Sequence, residues 1–178
     1  AGVLGAGPMA DAFFVALKIP NFFRRITAEG AFGISFVPLY SETLTKDGEA
    51  QAACFANEAF SLMLWILSAF TALALLAMPA VILLIAPGFN SDPLRFDVAV
   101  ELTRITFPYL LLISLTSLLG AVMNAHDRFA PFAVAPVLFN LCLIGAIFLE
   151  GFFADAGQAM AWGICVSGFL QLGLLYVC

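Results

Sequence analysis

Apolar residues run along this chain in long continuous blocks, and short polar stretches separate them. Five blocks can be drawn, at about Met9–Leu39, Ala52–Ile85, Val98–Asn124, Phe132–Leu149 and Gln158 to the end. Each approaches the roughly 20 residues a helix needs to cross the hydrocarbon core of a bilayer. The runs show no period-two alternation, so they read as helices and not as barrel strands. The punctuation carries turn chemistry. Gly5–Pro8 reads as a turn, and Ser41–Gln51, the most polar stretch, as a loop. Ala86–Pro93 holds Pro-Gly and Asp-Pro pairs, and Asn124–Pro131 and Glu150–Gly157 complete the set. All are short, so neighbouring helices are expected to be antiparallel.

Composition makes the membrane reading firmer. Of 178 residues, 63% are hydrophobic and only 11% charged, whereas soluble domains run near 45–50% and about 25%. No single globular core absorbs that excess, so the class is a polytopic membrane protein. The nineteen phenylalanines suit lipid-facing or cavity-lining positions. A net charge of −5 argues against nucleic acid, which calls for a basic face. Alternating loops place Lys46 and Arg128 on one side and Arg95 on the other. Counting only Lys and Arg puts the first side in the cytoplasm and the start of the chain outside. The chain does not begin with Met and stops within an apolar run, so it reads as a piece of a longer protein.

Charge is concentrated where it is least expected. The first block carries Asp11, Lys18, Arg24, Arg25 and Glu29. A charge at the bilayer centre costs about 2.5–3.5 kcal/mol, so turning it toward a polar cavity or a partner charge is cheaper. At about 100° per residue, Asp11, Lys18, Arg25 and Glu29 fall within roughly 40° and form a stripe about 27 Å long. Arg24 lies about 140° off that stripe in an ideal helix. Pro20 breaks the ideality by removing a donor and kinking the backbone. Which arginine enters a cavity is therefore left open by the wheel. Arginine offers planar, multidentate donors for phosphate or carboxylate and keeps its charge at any cellular pH. Two readings stand: a path for an anionic amphiphile or ion, and an internal Arg25–Glu29 pair at i, i+4 that only holds helices together.

Other candidates are weaker. Gly2–Gly7 lacks the Lys-Ser/Thr of a phosphate loop and reads as a helix-end turn. His126, the sole histidine, sits beside Asp127 and Arg128 and reads as a solvated loop residue. Cys54, Cys142, Cys165 and Cys178 form no metal-ligand or redox spacing and read as small buried hydrophobes. No Ser/His/Asp triad is readable. These observations predict no metal, no cofactor and no enzyme. Pro79, Pro108 and Pro136 fall inside apolar blocks, as hinges or as packing kinks. Gly120, Ala121, Gly145, Gly163 and Gly168 permit close helix contact.

The stretch ADAFFVALKIPNFFRRITAEGAFGISFVPLYSE resembles the segment after the first helix of the bacterial lipid II flippases, the MurJ or MviN family. The resemblance continues through APGF, through ITFPYLLLISLTSLLGAVMNAHDRFAPFAVAPVLFN and into AWGICVSGFLQL, in the family's order. Ser35 departs, since the family often has Ala there. The resemblance implies an all-α bundle of about fourteen helices in two lobes, within the multidrug/oligosaccharidyl-lipid/polysaccharide exporter superfamily. Residues 1–178 would be part of the N-terminal lobe, from the end of helix one through most of helix six. It implies transport of lipid II, the undecaprenyl-pyrophosphate-linked peptidoglycan precursor, across the bacterial inner membrane by alternating access. Membrane lipid surrounds the protein, and a coupling ion is left open. The family's cavity arginine matches Arg24, with Arg25 as second choice and Lys18 on the same wall. Asp11 matches an acidic residue near the outer gate, and Glu29 the Glu of AEGAF, with a role in inner closure or in positioning an arginine. The alternatives are a sister exporter of another lipid-linked saccharide or a drug, and a membrane scaffold whose charges are structural.

Overall fold

The computed structural model describes Asp11, residues 13–18 and residues 32–178. Every regular element among these residues is helical. Helical residues 13–18, here α1, are followed by α2 (Phe32–Asp47), α3 (Glu49–Leu76), α4 (Met78–Ile85), α5 (Pro93–Thr106), α6 (Pro108–Ala125), α7 (Ala130–Phe148) and α8 (Ala156–Val177). Short 3₁₀ turns at Pro87–Ser91 and Glu150–Phe152 make two of the connections.

Prolines set several boundaries. Pro79 lies in the first turn of α4, where a missing N–H is harmless, so the second apolar block divides at Ala77. Pro93 begins α5, with Asp92 as N-cap accepting the Arg95 amide. Pro108 begins α6 directly after Phe107, and α5 and α6 together form a 33-residue apolar rod. Pro136 stays inside α7, and the Asn140 side-chain amide donates to its carbonyl at 3.0 Å.

The polar stretch Ser41–Gln51 is not the loop its composition suggests. Helix α2 runs on to Asp47, and α3 begins at Glu49, leaving only Gly48 between them. Lys46 pairs with Glu42 at i, i+4, and Thr43 and Thr45 donate their hydroxyls to Leu39 and Ser41 carbonyls. These local bonds satisfy the polar groups within a helix. The chain then turns at Gly48, whose φ of 86° suits only a residue without Cβ.

Four described helices are long and apolar enough to span a membrane: Glu49–Leu76, the rod Pro93–Ala125, Ala130–Phe148 and Ala156–Val177. The rod is central, with 61% of its most apolar window buried, against 11% for α7. Two apolar clusters lie along it. One gathers Phe13 and Ala16 of α1, Met78 and Ile82 of α4, and Phe107 and Leu110 beside Pro108. The other gathers Phe36 and Tyr40 of α2, Met63 and Leu67 of α3, and Leu115 and Leu118 of α6. Helix α8 lies against both α6 and α7. Its glycines permit this: a Cβ on Gly163 would meet Ala146 Cβ at 2.8 Å, and one on Gly168 would meet Leu112 and Tyr109 at 2.9 Å.

Candidate functional site

The charged face of the first block begins in α1. Phe13 and Ala16 are buried in the core, while Asp11, Phe14 and Lys18 are exposed. Asp11 and Lys18 are seven residues apart, two helical turns, and so share a face. That face points away from the apolar core that Phe13 and Ala16 join. Arg24, Arg25 and Glu29 lie outside the described residues.

Helix α1 is fixed against α5 at two levels. The buried Thr106 hydroxyl donates to the Ala16 carbonyl at 3.3 Å. Near the other end, Arg95 Nη1 lies 3.5 Å from Asp11 Oδ2. The same guanidinium places Nε 3.0 Å from Asp92 Oδ2, close enough for Coulomb attraction but off the hydrogen-bonding direction. Arg95 therefore stands between two carboxylates on different elements. Sequence reasoning named Asp11 and missed this partner. The signal available was the spacing of Asp92 and Arg95 at the start of α5, which does not reveal a contact with a residue far earlier in the chain. The side chain of Gln158 at the start of α8 donates to Glu101 of α5 at 3.0 Å. Asp11, the α4–α5 connection and the start of α8 thus gather at one end of the bundle.

The opposite end has its own contact. Tyr40, buried on α2, hydrogen-bonds through its hydroxyl to His126 Nε2 at 2.9 Å. His126 is exposed, but it is partnered and not simply solvated. Burial, and secondarily the charge of Glu49, push the Tyr40 phenol above its ordinary value, so it stays protonated. The ends of α2 and α6 therefore share one side, as the alternating loops require.

The cysteines divide. Cys165 is buried as expected and Cys142 is half-buried, but Cys54 and Cys178 are exposed. Cys54 falls at the solvent-facing start of α3, where its thiol lies 3.8 Å from Glu58. Among the described residues, no group of three His, Cys, Asp or Glu side chains is placed to hold a metal.

Four described helices long and apolar enough to span a bilayer, with one charged face at the rim, define the class: an all-α multi-pass membrane protein. The profile of the lipid II flippase MurJ family matches residues 1–178, and the chain belongs to that family. It is 40% identical to the probable lipid II flippase MurJ of Rhizobium tropici, over 99% of this chain and 34% of that protein. It is 37% identical to the corresponding Rickettsia prowazekii protein, over 100% and 35%. The lipid II flippase MurJ of Burkholderia cenocepacia is also 37% identical, over 96% and 33%. The chain thus spans about a third of the length of the curated relatives it matches. A solved structure, a lipid II flippase MurJ in an inward closed conformation, superposes with a TM-score of 0.73 at 24% identity. That likeness covers 96% of this chain and 36% of the other, and it shows the fold.

Proposed function

We propose that the protein containing this chain is a flippase for lipid II in the bacterial inner membrane, working by alternating access and without covalent chemistry or cofactor. The family match over the whole chain carries this reading. In it, residues 1–178 are part of the N-terminal lobe, and the charged face of α1 forms part of the wall of a central cavity. The apolar faces of α3 and α7 meet lipid, where the polyprenyl chain of the substrate also belongs.

The division of labour follows from chemistry. The pyrophosphate of lipid II is anionic and cannot cross the hydrocarbon core unaided. Arg24, with Arg25 beside it, offers the planar donors that suit phosphate oxygens, and Lys18 adds a mobile positive charge six residues before Arg24. These cations replace water around the pyrophosphate while the polar head traverses the cavity. Asp11 and Glu29 act as gating groups, bringing negative charge to the two ends of the stripe. Asp11 has Arg95 as its counter-charge at the outer end. Breaking and remaking such a pair is inexpensive, since exposed ion pairs are worth less than about 1 kcal/mol. That suits a contact that opens and closes in each cycle.

The test is rescue of cells depleted of their own lipid II flippase by the full-length gene, with membrane levels checked. Wild type is expected to restore growth, and Arg24→Ala to abolish it. Full rescue by both Arg24→Ala and Arg25→Ala overturns the site assignment. A well-inserted wild type that fails to rescue moves the substrate to another lipid-linked saccharide.

A further inference from the structure

Four rings from three helices join end to end at the end of the bundle opposite Asp11. Phe55 of α3 stacks on Phe36 of α2, with centroids 5.5 Å apart and planes 8° from parallel. Phe36 stacks on Tyr40 at 5.7 Å and 24°. Tyr40 meets His126 edge-on at 6.0 Å, and its hydroxyl bonds to Nε2 at 2.9 Å. His126 is the C-cap of α6, and Asp127 after it takes a left-handed φ of 59°.

The backbone around Tyr40 is broken on both sides. Pro38 lies inside α2, where it removes one helical hydrogen bond and loosens the turn before it. Gly48 ends the helix with a positive φ, and a Cβ there would meet nothing within 4 Å. The segment between them, residues 39–47, is thus joined to its neighbours by two weak points in the backbone. Among the described residues, its exposed polar face adds local bonds, i to i+4, within α2 itself. The Tyr40–His126 bond is the side-chain hydrogen bond that carries it across to α6. Beneath that bond lies a cavity of about 330 Å³ between α2, α3, α6 and α8. Tyr40, His126, Asn57, Phe60, Leu118 and Tyr176 are among its walls.

We infer that Tyr40 and His126 are positioning residues for the transport cycle, a clasp that holds the inner half of α2 against the end of α6 and closes the cavity beneath. The physical basis is the arrangement of strong and weak links. The ring stack and the apolar cluster hold Tyr40 between α2, α3 and α6, and at the rim of that packing one polar bond reaches the exposed His126. Separation at this bond uncovers part of the buried Tyr40 ring but leaves both polar groups able to bond to water. The rest of the cluster, including Leu115 and Leu118, is closely packed and resists partial movement. A helix end loosened at Pro38 and Gly48 therefore parts from α6 first at Tyr40–His126. The inference rests on the alternating-access reading for its role, but the clasp itself is measurable without substrate.

The experiment uses full-length protein in lipid nanodiscs on a cysteine-free background. Nitroxides at Thr45 on α2 and Arg128 in the α6–α7 turn report the separation by pulsed dipolar spectroscopy. Both positions are exposed. Tyr40→Phe keeps the ring and its stacking and removes only the hydroxyl. It is expected to raise the ratio of separated to closed populations about fivefold, the factor carried by a typical net hydrogen bond. His126→Ala is expected to do the same, and the double variant to go no further than either single one. His126→Gln, which keeps a polar partner, is expected to return toward wild type. An unchanged distance distribution in Tyr40→Phe overturns the inference, as do single-variant shifts that simply add in the double. A melting temperature lowered with no change in distances marks a purely structural contact and also overturns it. If the distances shift as expected but wild type fails to rescue flippase-depleted cells, the clasp stands and the lipid II reading falls.

Discussion

Asp11 and Arg95 illustrate how a charge in a membrane protein is defined by what it faces. Both side chains are substantially exposed, at 55% and 37%, so their pairing adds less than about 1 kcal/mol to stability. If the pair gates the outer end, its loss is felt in transport and hardly in folding. Asp11→Arg is expected to impair rescue of flippase-depleted cells, and adding Arg95→Asp to restore part of it, with melting temperatures nearly unchanged throughout. Failure of the swap to restore any growth removes Arg95 from the gate. Tyr40 makes a different residue-scale prediction. Its raised pKa means that the native state holds the phenolic proton more tightly than the unfolded chain. Its contribution to stability is complete below the ordinary phenol value near 10 and is lost as pH rises through the folded value. A tyrosinate difference titration of wild type against Tyr40→Phe is expected to show one phenol ionising above that ordinary range.

At the scale of elements, glycines have unequal roles, and the difference lies in what a side chain would meet. Gly163 faces α7 so closely that a Cβ falls 2.8 Å from Ala146 Cβ and 3.2 Å from the Cys142 carbonyl oxygen. Gly163→Val is therefore expected to push α7 and α8 apart and to lower stability by about 1–3 kcal/mol. Gly145 and Gly173 face open space on α7 and α8. Alanine at either is expected to be neutral or to raise stability by up to about 1 kcal/mol, since it favours the helix and restricts the unfolded chain. Thermal denaturation of the full-length variants in one detergent distinguishes these outcomes. The sequence named Gly120, Gly145, Gly163 and Gly168 together as permissive of close contact, because a missing side chain is visible in one dimension. Which of them has a neighbour is a matter of rotation about each helix axis. The polar stretch Ser41–Gln51 teaches the same lesson in reverse. Its composition suggested a loop, yet Glu42–Lys46 and two threonine hydroxyls satisfy themselves inside α2 until Gly48 ends it.

Across the whole chain, the unequal burial of the spans separates packed helices from peripheral ones. The rod formed by α5 and α6 is the axis, and α7 lies on the periphery with Val137, Leu141 and Ile144 exposed. Where that face meets lipid, a charge near mid-span enters hydrocarbon. Leu141→Lys is expected to cost about 2.5–3.5 kcal/mol in insertion of α7. A glycosylation-based insertion assay of the span in its native context should show a reduced inserted fraction, and an unchanged fraction would argue that α7 faces protein.

The primary structure by itself determined the membrane class, the approximate reach of the apolar spans that follow Gly48, and the positions of Pro79 and Pro108, where helices restart. It also carried the resemblance that the family match bears out. These properties are local, because hydrophobic length, missing N–H groups and helical phase are all read along one segment. Tertiary structure alone decided that α6 is central and α7 peripheral. Lipid tails are as apolar as a leucine core, so hydrophobic periodicity cannot tell the lipid-facing side of a span from the packed side. Tertiary structure likewise joined Asp11 to Arg95 and Tyr40 to His126. Such pairs lie 84 and 86 positions apart in the chain, and only the packing of whole helices brings them within reach.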